Sequence, residues 1–65
     1  MDLRSLAQNH MTFMSRANEA SQRRDHETCK LNCSKAVDVI EKFAWTAGIS
    51  PAEAAEQINR MNQGE

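Results

Sequence analysis

The amino-acid sequence predicts an all-α protein, and three observations lead to that class. Its 65 residues include only two glycines, one proline and no tyrosine, too few turn residues for an all-β fold. No glycine or proline occurs between Met1 and Ala47. Apolar residues in that stretch recur every third or fourth position, as on one face of a helix. We therefore expect an antiparallel helical hairpin and a short C-terminal third helix, forming a single small domain over residues 1–65.

The first predicted helix covers about residues 2–22. Its apolar face is formed by Leu3, Leu6, His10, Phe13, Ala17 and Ala20, with Ala7 and Met14 beside them. Arg23 and Arg24 follow this face, and positive charge is favourable near the carbonyl end of a helix. These arginines therefore suit the C-terminal end of the first helix.

The second predicted helix covers about residues 26–47 and has its own register. Its apolar face is formed by Cys29, Cys33, Ala36, Ile40, Phe43 and Ala47, with Val37 and Ala44 alongside. On one continuous helix this face would lie about 180° from the first. A break within residues 21–26 lets the two faces meet, with Asp25 as N-cap. Because no glycine marks this break, one long helix used in an oligomer stays an alternative.

The third predicted helix covers about residues 51–62 and has the clearest local signal. Gly48 suits a left-handed cap at the end of the second helix. Ser50 is a good N-cap, Pro51 suits the first helical position, and Glu53 completes a capping box. The sequence therefore predicts a sharp corner between the second and third helices.

Composition excludes several classes of protein. Eight basic and nine acidic residues give a net charge of −1, whereas strong nucleic-acid binders concentrate positive charge. No apolar run approaches the roughly 20 residues that span a bilayer, and the N-terminus lacks a signal-peptide pattern. We expect a cytoplasmic protein with free thiols and no membrane partner. Without a glycine-rich loop or much concave volume, we expect neither an enzyme nor a cofactor.

One group of residues has the spacing of metal ligands. His26, Cys29 and Cys33 share one face of the second helix, and His10 on the facing helix offers a fourth ligand. Structural zinc sites usually take cysteine pairs from a tight knuckle rather than from one helix face. The favoured interpretation is that both cysteines fill a narrow core, so we expect no bound metal.

The corner after the second helix resembles the turn of the helix-turn-helix DNA-binding motif. The resemblance covers Ala44-Trp45-Thr46-Ala47-Gly48-Ile49-Ser50-Pro51-Ala52. It depends on the small residue Ala44, on Gly48 four positions later and on the apolar residue Ile49. It implies a DNA-binding regulator that uses residues 44–58. However, the third helix carries Glu53 and Glu56, which phosphates repel, and Gln57 stands where the motif buries an aliphatic residue. With Arg60 as the only base there, nucleic acid is the less favoured partner.

The back of the second helix is the favoured binding surface. Leu31 and Trp45 point away from the predicted hairpin core, and Val39 lies on the flank. Tryptophan is enriched at interface hot spots. The predicted partner-binding residues are Leu31, Val39, Trp45, Lys35 and Lys42. Burial of Trp45 beneath the third helix stays open as an alternative.

The leading functional prediction is a small interaction module. A chain of this length builds only a thin core, which favours assembly as a homodimer or higher oligomer. Such a protein would bind, block or scaffold a protein partner, as small accessory or inhibitor proteins of phages and plasmids do. A further alternative is an oligomer that binds a small anionic ligand through Arg16, Arg23, Arg24 and Lys30.

Overall fold

The computed structural model describes residues 2–64 and contains three helices, with no strand in that range. The helices are α1 (Leu3–Gln22), α2 (His26–Ala47) and α3 (Pro51–Asn62). This confirms the all-α class and the three helices. The predicted break is also confirmed, because α1 and α2 are separated at residues 23–25, and one unbroken helix is excluded.

A side chain caps the N-terminus of each helix. Asp2, Asp25 and Ser50 each accept a hydrogen bond from the backbone N–H three residues further on, at 2.7, 3.2 and 3.2 Å. These bonds satisfy N–H groups that have no partner within a helix. The Ser5 N–H lowers the pKa of the Asp2 carboxyl, and the Thr28 side chain, followed by the Thr28 N–H, lowers the pKa of Asp25, because these hydrogen bonds stabilise the charged form. The caps at Asp25 and Ser50 are those that the sequence predicts.

The turn between α1 and α2 is a Schellman motif without glycine. The Asp25 N–H donates to the Ala20 carbonyl at 2.8 Å, and the Arg24 N–H donates to the Ser21 carbonyl at 3.0 Å. Arg24 adopts a φ of 60°, in the left-handed region that glycine usually occupies at this position. The turn therefore forms at the expense of backbone strain in an arginine.

Replacing Arg24 by glycine is expected to stabilise the protein by about 1 kcal/mol, because glycine tolerates the left-handed conformation. Urea denaturation followed by circular dichroism measures the change. The matched control is Arg23→Gly, at a residue with φ −88°, which gains no such relief and is expected to be destabilising. A lower denaturation midpoint for Arg24→Gly would contradict this account of the turn.

The main core lies at the end of the hairpin where all three helices meet. Its buried residues are Leu6, Ala7, Val39, Phe43, Ala44, Ala54 and Ile58. The largest fully buried side chains are Phe43 and Ile58. The Asn62 side-chain amide donates a hydrogen bond to the Ala7 carbonyl at 3.1 Å, which ties the end of α3 to α1.

The half of the hairpin near the turn has a much thinner core. Between residues 14 and 36 the buried residues are Ala17, Ala20, Asn32 and Ala36. Alanines allow close contact between helices but bury little apolar area. The three-helix end therefore supplies most of the hydrophobic stabilisation.

The buried face of α2 differs from the predicted one. It is formed by Asn32, Ala36, Val39, Phe43 and Ala44. Cys33 and Val37 are exposed, so their assignment to the core is wrong, and so is the core position of Met14 on α1. Burial of Asn32 is possible because its side-chain amide donates to the Thr28 carbonyl at 2.9 Å within the same helix.

Candidate protein-binding surface

Trp45 is the most exposed large apolar residue among those described. It lies in the last turn of α2 with 90% of its surface exposed. The apolar residues of α3 turn elsewhere: Ile58 belongs to the main core, and Met61 packs against it. The alternative that α3 covers Trp45 is therefore wrong.

Two shallow grooves flank Trp45. One has a volume of about 520 Å³, and its lining includes Leu6 of α1 together with Asp38 and Lys42 of α2. The other has a volume of about 480 Å³ and lies at the α2–α3 corner. Its lining includes Ala44, Gly48, Ile49 and Pro51. Trp45 thus forms a ridge between a partly charged groove and a mainly apolar one.

Leu31 lies on the same outer side of α2 and is 55% exposed. It precedes Trp45 by fourteen residues, which places it about 21 Å away along the helix axis. The exposed charged residues Asp38, Glu41 and Lys42 lie between them. The outer side of α2 therefore presents two separate apolar anchors.

The remaining predicted partner-binding residues occupy different positions. Lys42 is exposed and lines the groove beside Trp45. Lys35 turns towards α1, where its Nζ lies 5.7 Å from the centroid of the Phe13 ring, a cation–π distance. Val39 is only 7% exposed and belongs to the main core, so its place on the binding surface is wrong. Val39 is buried because it lies on the face of α2 that contacts α1.

The metal-ligand spacing on α2 does not produce a ligand cluster. Within residues 2–64, no group of three or more His, Cys, Asp or Glu side chains is placed to hold a metal ion. His26 and Cys33 are exposed, and Cys29 and His10 are partly buried. Burial, and then the neighbouring Cys33 thiol, raises the pKa of the Cys29 thiol, which disfavours the thiolate that binds metals. Burial lowers the pKa of His10.

The α2–α3 corner has the tight turn that the sequence predicts but gains no positive surface. Gly48 has a φ of 70°, and the Ile49 N–H donates to the Ala44 carbonyl at 3.0 Å. On α3, Glu53 and Glu56 are exposed. Their charge opposes contact with phosphates, so the geometry does not favour DNA binding at this corner.

The predicted anion-binding residues are exposed and surround the hairpin turn. They are Arg16, Arg23, Arg24 and Lys30. Small-molecule sites are concave, and these side chains contribute to neither groove beside Trp45.

Three further apolar residues are exposed: two methionines of α1 and a valine that the sequence assigns to the buried side of α2. Val37, Met11 and Met14 are 52%, 48% and 44% exposed. The 3–4 spacing of Asn32, Ala36 and Val39 could have indicated that Val37 is exposed, because Val37 lies outside a helix face formed by those three positions.

Comparison of the chain with models of protein families, with curated proteins and with solved structures finds no match. Over residues 2–64, none of the helices combines the length and the apolar character that crossing a bilayer requires. We therefore infer function from the exposed surface itself.

Proposed function

We propose that this protein is a small, non-enzymatic interaction module. It associates with itself, and it binds a different protein through Trp45 and Leu31. The exposure of Trp45 is the observation that carries the proposal. A tryptophan buries at least about 150 Å² in an interface, which is worth about 4 kcal/mol in hydrophobic free energy. A side chain of this kind between two grooves has the form of an interface hot spot.

The spacing of the two anchors defines the shape of the partner. A helix that contacts both must extend for about 21 Å, or roughly 14 residues. Because both Asp38 and Lys42 lie between the anchors, such a helix would place charged residues of both signs beside its apolar ones. The module would then block or scaffold its partner by covering that helix, as an accessory or inhibitor protein does. The partly buried and exposed thiols suit a reducing compartment such as the cytoplasm.

Trp45→Ala is expected to weaken partner binding about 30-fold or more, which corresponds to loss of a hot spot worth about 2 kcal/mol. The experiment compares affinity capture from source-cell extract by the wild type and the variant, followed by titration with the purified captured protein. Trp45 is the only tryptophan, so its fluorescence reports directly on this surface. A blue shift on titration is expected.

The matched control is Thr46→Ala, which alters the neighbouring exposed residue. It is expected to retain wild-type binding. Thermal denaturation should show that Trp45→Ala is as stable as the wild type, because so little of this side chain is buried in the protein. Equal affinity of the wild type and Trp45→Ala for every captured protein would overturn the proposal.

A further inference from the structure

One face of the helical hairpin is only partly covered by α3. With 12 residues, α3 is about 18 Å long, whereas α1 and α2, with 20 and 22 residues, are about 30 and 33 Å long. The bond from Asn62 to the Ala7 carbonyl places the end of α3 near the start of α1, away from the turn. The part of this face nearer the turn is left without a third helix.

The contact between Lys35 and Phe13 identifies the opposite face of the hairpin and its register. The two helices are antiparallel and joined at residues 23–25. Residues of α1 and α2 that lie side by side therefore have numbers that add up to about 48, as Phe13 and Lys35 do. Met11 is therefore level with Val37. Helix periodicity puts both on the side of the hairpin away from the Lys35–Phe13 pair.

The same periodicity places Met14 and Val37 on the face that α3 covers further along. Met14 lies on the edge of α1 that carries Ala7, and Val37 lies on the edge of α2 that carries Ala44. Ala7 and Ala44 share the main core with the α3 residues. Met11 also lines a groove with Met61 and Asn62, next to the end of α3. We call the area around Met11, Met14 and Val37 the uncovered face.

The total accessible surface is large for a chain of this mass, which favours burial of part of it by a second copy. The described surface measures 4786 Å². Folded monomers of 7.3 kDa expose about 4,200 Å² by the usual scaling with mass. The excess of roughly 600 Å² approaches the ~800 Å² that each partner contributes to an interface of standard size. The radius of gyration, 11.9 Å, also exceeds the value of about 10.7 Å for a chain of this length.

The distribution of charge favours an antiparallel arrangement of the two copies. Residues 16–30, around the turn, carry four basic and three acidic side chains, a net charge of +1. Residues 38–62, at the three-helix end, carry two basic and four acidic side chains, a net charge of −2. Opposite orientation places the positive turn of each copy beside the negative end of the other. It also lets each turn occupy the space beyond the other copy's α3.

We propose that two copies of this chain pack their uncovered faces together in an antiparallel, two-fold symmetric dimer, which forms a four-helix bundle near the two turns. The proposal rests on the self-association part of the proposed function and specifies its interface. It does not depend on partner binding through Trp45. Because Trp45 and Leu31 lie on the outer side of α2, the dimer presents two copies of that binding surface.

Val37→Glu is expected to raise the dissociation constant of the dimer by at least about 100-fold, because it buries an unpaired charge in an apolar interface. Sedimentation velocity over a wide concentration range measures this change. Leu31→Glu is the matched control, since Leu31 has similar exposure but lies on the outer side of α2. Leu31→Glu and Trp45→Ala are expected to leave dimerisation unchanged. Circular dichroism checks that Val37→Glu remains helical, and Met14→Glu provides a second variant on α1.

Cross-linking tests the orientation in a chain whose two native cysteines are replaced by serine. Lys30→Cys, on the same side of α2 as Val37 and midway between Val37 and the turn, lies near the two-fold axis and is expected to form a disulfide-linked dimer, whereas Arg23→Cys at the turn is not. The reverse pattern would overturn the antiparallel arrangement. A wild type that is monomeric at every concentration would overturn the dimer, and so would dissociation by Leu31→Glu but not Val37→Glu. Loss of partner binding in Trp45→Ala is measured separately and is unaffected by either outcome.

Discussion

Replacing Phe43 by alanine is expected to destabilise the protein by about 3–5 kcal/mol, more than any other single truncation in its core. Phe43 is fully buried where α2 contacts the other two helices. Its removal leaves a cavity that the neighbouring side chains Leu6 and Ile58 are unable to fill. Because a domain of this size has only a few kcal/mol of net stability, the variant should be largely unfolded at room temperature.

Circular dichroism and urea denaturation of the wild type and Phe43→Ala test this prediction. Phe13→Ala is the matched control, because the same side chain is lost from a partly buried position at the edge of the hairpin. Its expected cost is about 1–2 kcal/mol. Equal destabilisation by the two substitutions would show that the core is not centred on the three-helix end.

Replacing Ile58 by alanine is expected to cost about 2–5 kcal/mol. Ile58 is the largest fully buried residue of α3, and only Ala54 is buried with it on that helix. The substitution therefore removes most of the apolar area that holds α3 against the hairpin. Because the Asn62 bond to α1 depends on α3 being docked, that bond should be lost as well.

The measurement is again urea denaturation, supplemented by amide hydrogen exchange along α3. Faster exchange in α3 than in α2 is expected for Ile58→Ala if α3 detaches while the hairpin persists. Gln57→Ala is the control, because it changes the adjacent, exposed residue to a good helix former. A loss below about 1 kcal/mol for Ile58→Ala, less than the usual cost of such a truncation, would mean that α3 is held by contacts other than this side chain.

The helices and their ends could be predicted from the sequence because the signals that specify them are local. Asp25 and Ser50 cap helices that start where the pattern of polar and apolar residues predicts. Gly48 adopts the left-handed conformation expected of a residue that ends a helix. Each of these signals depends on residues within a few positions of one another, so no knowledge of the tertiary structure is needed.

The register of α2 could not be predicted, because too much of its circumference is apolar. A pattern that includes Cys33 and Val37 fits helical periodicity about as well as one that includes Val39. The burial of Asn32 selects the pattern that includes Val39. This polar residue can be buried because its side-chain amide donates a hydrogen bond to the Thr28 carbonyl within α2, which the sequence pattern does not reveal. The docking of α3 against Ala44 adds a constraint from residues distant in sequence.

The exposure of Trp45 depended on a similar long-range factor. The sequence allowed this side chain to be covered by α3 or to face solvent, and the direction in which α3 leaves the corner decides between them. The tight turn at Gly48 directs α3 so that Ile58 packs against α1 and α2 in the main core. Ile58 is therefore unable to cover Trp45. The roles of Trp45 and Leu31 in binding stay predictions.

The hydrogen bond between Asn62 and Ala7 has a practical consequence for work with this protein. It joins residues that are 55 positions apart and brings the first turns of α1 to the last turn of α3. A fluorophore, purification tag or surface linker attached near either end of the sequence would therefore sit beside the Met11 groove and obstruct the same side of the molecule. Labels placed on the outer side of α3, for example at Glu56, avoid that crowding.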